Sequence, residues 1–356
     1  MPSRLKSILA FAGSLVLGGG LLYLALRGAD VEAVWSGLRG GAWGWLVPLF
    51  LVSLASVAIR AWRWRLLLNA LPAGADRQPV TFQTSLASVL IGYLVNYAAP
   101  RLGEFARAAN VSSQSGRSFP AVFGTVVVDR VLDVAMLLLA LLSVVLLYGS
   151  RLDGVWAAFG DGLAEARAAL PALTLGVVAG LGVAALALAS GAWLVARRAT
   201  GLGGRLLGLA GQFRDGLSAV LRLPQRGALA ASTLLLWASY GLMADIPLRL
   251  LGLSEAYGLG LLDAWALMAV GAVGMSLPSP GGAGSYHYAT VLTLTALFGV
   301  AASPAAAYAV IGHAAQLVFY GLAGVAALVW QGTSLKAIRA SAAAAQTGGA
   351  RPTPSA

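Results

Sequence analysis

Apolar residues fall in long unbroken runs, near 7–26, 42–59, 82–99, 120–148, 171–196, 228–248, 264–278, 286–301 and 305–330, with polar positions collected between them. Several runs reach the ~20 residues that a helix needs to cross a bilayer. Because every backbone polar group must be satisfied within hydrocarbon, such runs predict helices. The fold class expected is therefore all-α: a polytopic integral membrane protein.

Charge signs along the chain refine that expectation. The stretches "RAWRWRLLLNALPAGADRQP", 101–117 and "RRATGLGGRLLGLAGQFRDGLSAVLRLPQR" are basic, whereas "RGADVEAVWSGLRGG", "SRLDGVWAAFGDGLAEARAAL" and "RLLGLSEAYGLGLLD" are weakly acidic or neutral. Basic loops stay cytoplasmic. The 82–99 run is basic at both ends, so a full crossing would leave one loop on the wrong side. The simplest repair is that 82–118 enters from the cytoplasm, turns, and leaves on the same side. The second half has the mirror-image problem: 305–330 must end inside beside Lys336 and Arg339, which makes 264–301 enter and leave outside, turning at "SLPSPGGAGS". The expectation is about six full spans plus two oppositely oriented re-entrant hairpins, an inverted-repeat-like set of about eight membrane elements. Two ordinary kinked spans with one misplaced loop is the plainer alternative.

Composition agrees with this class: 59% of residues are hydrophobic and 10% charged. The net charge of +11 sits in loops flanking apolar runs, which argues for a membrane surface and against nucleic acid. With no cysteine, thiolate chemistry and cysteine metal sites are excluded. His287 and His313 are far apart in sequence, so neither a metal nor another cofactor is expected. Residues 1–335 read as the membrane domain, with a retained first span and cytoplasmic termini, and 336–356 as a disordered cytoplasmic tail.

Ionisable side chains at membrane depth are costly and need a reason. In "NYAAPRLGEFARAAN", Pro100 frees backbone, Gly103 permits close approach, and one helical turn puts Arg101, Glu104 and Arg107 on a common face. Such a break can offer a helix N-terminus and arginine forks to phosphate; an ordinary cytoplasmic boundary with a surface ion pair is the competing explanation. In "VVVDRVLDV", Asp129, Arg130 and Asp133 form either an internal clamp or a polar pathway. Asp245 lies deep enough to partner Arg130, while Arg249 snorkels to the interface. "SLPSPGGAGSYHYATV" breaks its helix with Pro278, Pro280, Gly281, Gly282 and Gly284, exposing amides beside a new helix start and His287. "RAWRWRLLL" reads as an interfacial anchor, and "GGRLLGLAGQFRDGLSAVLRLP" as an amphipathic surface helix.

Taken in order, "RAWRWRLLL", "NYAAPRLGEFARA", "VVVDRVLDV" and "PSPGGAGSYH" resemble the lysylphosphatidylglycerol synthase transmembrane-domain family, also called flippase-like domain proteins, over about residues 5–335. The resemblance implies a multi-pass protein of the inner (cell) membrane that handles amphiphilic lipids: an anionic phospholipid or a polyprenyl-phosphate-linked lipid. By position it carries substrate contact onto Arg101, Glu104 and Arg107, onto Asp129, Arg130 and Asp133, and onto the Pro278–Gly284 loop. His287 departs from the family, which often has glutamate there. The soluble aminoacyl-transferase domain of the full-length synthases is absent from this sequence, so lysyl-lipid synthesis is not implied. A lipid translocase is the leading expectation. A membrane-embedded transferase using Asp129, Glu104 or His287 as base, and a non-transporting partner of lipid-synthesis enzymes or of a second copy, are the alternatives.

Overall fold

The computed structural model describes residues 3–72, 78–98, 102–149, 202–277 and 279–332. Those residues form helices joined by short turns, without a strand among them. They are α1 (Ser3–Leu26), α2 (Val31–Arg39), α3 (Leu46–Asn69), α4 (Phe82–Ala98), α5 (Gly103–Ser115), α6 (Phe119–Tyr148), α7 (Leu202–Leu217), α8 (Ala219–Arg222), α9 (Arg226–Leu250), α10 (Leu253–Tyr257), α11 (Leu261–Ser276), α12 (Ser285–Leu292) and α13 (Ala302–Trp330). The apolar run 171–196 and the tail 336–356 lie outside the described residues.

Four described helices are long and apolar enough to span a bilayer: Trp43–Asn69, Phe119–Tyr148, Arg226–Leu250 and Ala302–Trp330. Their side chains are sorted inside-out relative to a water-soluble bundle. On α6, Leu138, Leu142 and Leu146 face outward and exposed, while Thr125 and Asp129 are fully buried. An apolar rind around a charged interior suits a lipid solvent, in which burying Leu between helices gains little over leaving it in hydrocarbon.

Hydrogen bonds between helix ends define two poles. At one pole, Asn69 and Val80 bond reciprocally (2.8 and 3.1 Å), which ties the start of α4 to the end of α3. There too Asn110 of α5 donates to Ser88 of α4 (2.8 Å) and to Gln331 just past α13 (2.9 Å). At the other pole, the amide of Ala42 reaches Leu250 at the end of α9 (2.8 Å), and Tyr148 at the end of α6 reaches Asp263 at the start of α11 (2.8 Å). The amide of Ala301, preceding α13, meets the hydroxyl of Tyr257 at the end of α10 (3.4 Å). The α4–α5 hairpin thus starts and ends at the first pole, and α11–α12 starts and ends at the second.

The arms of both hairpins close tightly at their inner ends. Asn96 of α4 accepts the amide of Gly103 (2.7 Å), filling one of the open donors of α5. A Cβ on Gly103 would fall 2.1 Å from the Gly92 carbonyl oxygen, so only glycine allows the two arms to close this tightly. In the second hairpin Gly284, at φ 86°, brings its backbone against α1, where a Cβ would sit 1.9 Å from the Gly18 carbonyl oxygen. The return arm is shorter than the 286–301 run suggests: α12 stops at Leu292, a π-helical turn covers Thr293–Leu297, and Gly299 at φ 65° reverses the chain. The stretch read as a surface helix, α7, packs on α6 through Phe213, whose ring lies 6.4 Å from Phe123.

Candidate functional site

Helical periodicity assembles the centre of the molecule from three elements. On α3, Arg60 and Arg63 stand three residues apart and share a face; on α6, Asp129 and Asp133 stand four apart and share another. Packing these faces together makes a crossed ion-pair network. Asp129 accepts from Arg60 (3.1 Å), Arg63 (2.6 Å) and, from α5, Arg107 (3.0 Å). Asp133 accepts from Arg60 (2.8 Å) and Arg63 (2.7 Å), with Arg130 at 3.6 Å. Arg130 also pairs with Glu104 of α5. Four guanidinium groups thus meet three carboxylates, leaving one net positive charge.

Burial divides the network into two layers. Arg63, Arg107 and Asp129 are almost wholly enclosed, and Arg107 stacks over the buried Trp64 ring at 4.8 Å. Arg60, Asp133, Glu104 and Arg130 line a cavity of about 540 Å³, within the range of small-molecule sites. The Arg130 side chain is the most open of the four, at 41% exposed against 21% for Glu104. Tyrosines from four helices complete the lining, including Tyr93, Tyr97, Tyr240, Tyr286, Tyr308 and Tyr320. The Tyr240 hydroxyl accepts from Arg60 at 2.9 and 3.2 Å, and that of Tyr308 donates to the Ala244 carbonyl at 2.7 Å. Such rings offer an apolar face and a polar edge together, a lining suited to an amphiphile.

The two hairpin tips meet at this cavity. Asn96 and Tyr97 line it from the first hairpin, and Gly281 and Gly282 from the second, with Gly281 against the Tyr97 ring. Two amides of the glycine loop have partners: Gly282 donates to the Ser279 carbonyl (3.1 Å) and Gly284 to Nδ1 of His287 (3.4 Å). Gly284 and His287 are not among the lining residues, and Pro280 is described by its backbone alone, in a short 3-10 turn. Arg101 and Pro278 lie outside the described residues.

Three sequence readings need correction. "RAWRWRLLL" is not a surface anchor. Arg60 lies 14 residues past the start of α3, a rise of about 21 Å, so Arg60 and Arg63 sit in the interior and hold Asp129 and Asp133. Asp245 does not reach Arg130; it pairs with Arg249 one turn away (2.6 Å), whose guanidinium extends over Trp45. The two histidines are not apart either: their rings come within 5.0 Å, with Tyr286 beside His313 at 5.5 Å. Among the described residues no cluster of three or more histidines and carboxylates has the arrangement to hold a metal ion. Arg60 and Arg63 could have been found by matching their three-residue spacing to the Asp129–Asp133 pair; the tyrosines carried no such signal.

The family model for the lysylphosphatidylglycerol synthase TM region matches residues 11–324. No curated protein and no solved structure matches the chain.

Proposed function

The chain belongs to the lysylphosphatidylglycerol synthase transmembrane-region family of lipid-related membrane proteins, and from that premise we propose that its central cavity carries the headgroup of an anionic, phosphate-bearing lipid between leaflets. The observation that supports this most is the Arg130–Glu104 pair. It is a partly open cation, held by a carboxylate that phosphate can displace, on a cavity wall backed by buried ion pairs that leave one net positive charge. Phosphate and carboxylate compete for the same guanidinium fork. Arg60 and the Tyr240 hydroxyl supply further donors, while the tyrosine rings tolerate the hydrocarbon next to the headgroup.

A transferase would need a carboxylate or imidazole free to take a proton. Asp129 accepts from three arginines, Glu104 from Arg130, and Nδ1 of His287 from Gly284, which favours translocation over proton chemistry. In liposomes, wild-type protein is expected to move a labelled anionic phospholipid without changing its mass. Arg130→Gln should cut the rate at normal folded yield, because Arg130 has the most exposed side chain in the network and its loss strands only Glu104, itself partly exposed. A lipid product of altered mass, or full transport by Arg130→Gln, would count against this reading.

The pole arrangement supports re-entrant hairpins of opposite orientation in an inner-membrane protein with cytoplasmic termini. The chain has no cysteine, so single cysteines can be read cleanly. Cysteines replacing exposed Gln78 and Gln114, which flank the first hairpin, should both label from the cytoplasm. Those replacing exposed Glu255 and Ala301, which flank the second, should both label from outside. Opposite sides within either pair would end the two-hairpin topology.

A further inference from the structure

A second cavity of about 280 Å³ adjoins the first. It is lined by Phe123, Val126, Val127 and Val131 of α6, and it shares Glu104, Arg130 and Val134 with the central cavity. The Glu104–Arg130 pair therefore stands at the junction of two spaces of different character. On one side are the phenols and charges of the headgroup cavity; on the other is a groove whose remaining lining is hydrocarbon. Its outer rim is open, with Val131 60% and Val134 55% exposed on the lipid-facing side of α6. One aromatic ring lines it, that of Phe123, which lies 4.8 Å from Phe105 and 5.7 Å from Phe119.

We propose that this groove seats a hydrocarbon chain of the transported lipid and that Glu104–Arg130 is the lateral gate through which the attached headgroup passes from the bilayer into the cavity. The inference rests on the headgroup reading above and extends it to the tail. A chain lying along Val127 and Val131 places the phosphate to which it is joined beside Arg130. Phosphate then takes the guanidinium from Glu104, so substrate arrival and gate opening are one exchange of partners. A neutral or zwitterionic lipid lacks the net anionic charge for that exchange, which makes the groove selective although its own wall is apolar.

Photo-crosslinking in vesicles of equal phosphatidylglycerol and phosphatidylcholine tests this. A benzophenone side chain at Val127 should give lipid adducts enriched severalfold in phosphatidylglycerol. One at Leu322, 69% exposed on α13, should give adducts that mirror the vesicle. Val131 serves as a second groove position should the Val127 protein fold poorly. In parallel, saturation-transfer NMR with glycerol phosphate reads headgroup binding without a tail, and Val127→Trp, which fills the groove, should slow translocation severalfold while leaving that signal unchanged. Unselective adducts at both groove positions with glycerol phosphate still bound would overturn the groove and leave the headgroup cavity standing. Loss of both the selectivity and the glycerol phosphate signal in wild-type protein would remove the headgroup reading and the gate with it.

Discussion

Asp129→Asn is expected to remove most of the folded protein from detergent extracts. The two carboxylate oxygens of Asp129 take hydrogen bonds from Arg60, Arg63 and Arg107, and the residue has no exposed surface. An amide keeps one acceptor oxygen and turns the other position into a donor aimed at guanidinium groups that can only donate. Four arginines would then face two carboxylates. Breaking a buried ion pair from one side costs about 3–5 kcal/mol, a large part of the about 5–15 kcal/mol by which a protein is stable. Asp133→Asn should cost less, because Asp133 is 14% exposed and the arginines it holds keep Asp129 or Glu104. Arg107→Gln added to Asp129→Asn should restore part of the loss, because Asp129 is the one carboxylate paired with Arg107 among the described residues. Thermal melting followed by size-exclusion fluorescence ranks the three variants. An Asp129→Asn protein that melts with wild type would show that the network is not what holds α3, α5 and α6 together.

The membrane class and the placing of breaks were legible because both depend on local sequence. Hydrocarbon demands runs of about 20 apolar residues, and Pro–Gly clusters interrupt them wherever they fall. Pro100 and the stretch "SLPSPGGAGS" thus mark breaks from the sequence alone. The shared pole of each hairpin also agrees with the charge parity. Arg60 and Arg63, which the parity places in a cytoplasmic loop, lie within α3. Their basic charge puts them on the cytoplasmic side, and the alternation of Trp with Arg reads as an interfacial anchor. What makes them interior is α6, which lies some 70 residues away and brings two carboxylates to meet them. Among residues of "RAWRWR", Trp62 and Arg65 keep the partly exposed character of an anchor.

Other features were hidden for the same reason. The Asp245–Arg249 pair is the exception, legible from its four-residue spacing. The contact of His287 with His313 depends on how α12 folds against α13, which no window of sequence contains. The cavity tyrosines come from α4, α9, α12 and α13, at unrelated positions in the chain, and each alone resembles any membrane tyrosine. Periodicity finds faces within a helix; which faces meet is decided by close approaches such as Gly103 on Gly92, and those are tertiary.

Glu104→Gln is expected to tighten binding of an anionic lipid while slowing its movement. With the carboxylate gone, Arg130 retains only Asp133 at 3.6 Å, and the network goes from one net positive charge to two. Phosphate no longer has to displace a competitor, so the bound state gains relative to the empty one. Arg130 and Glu104 are both partly exposed, so solvent screening keeps the gain modest; a change of 1.4 kcal/mol would be about tenfold in affinity, and the expected effect lies below that. Release must repay the same free energy, because stabilising the bound state without stabilising the transition state deepens a trap. Affinity and rate should therefore move in opposite directions, and the affinity gain should shrink in high salt. Arg107→Gln separates this account from a simple charge count. Sequence spacing put Arg107 beside Glu104 at the headgroup, whereas the structure places it behind the cavity wall on Asp129, 4% exposed. Its loss should lower folded yield and leave the affinity of the surviving protein near wild type. Lipid affinity and transport measured on both variants in the same liposomes decide the matter: a Glu104→Gln protein with wild-type affinity and rate would mean that Glu104 and Arg130 form an ordinary structural ion pair, and that the phosphate is held elsewhere.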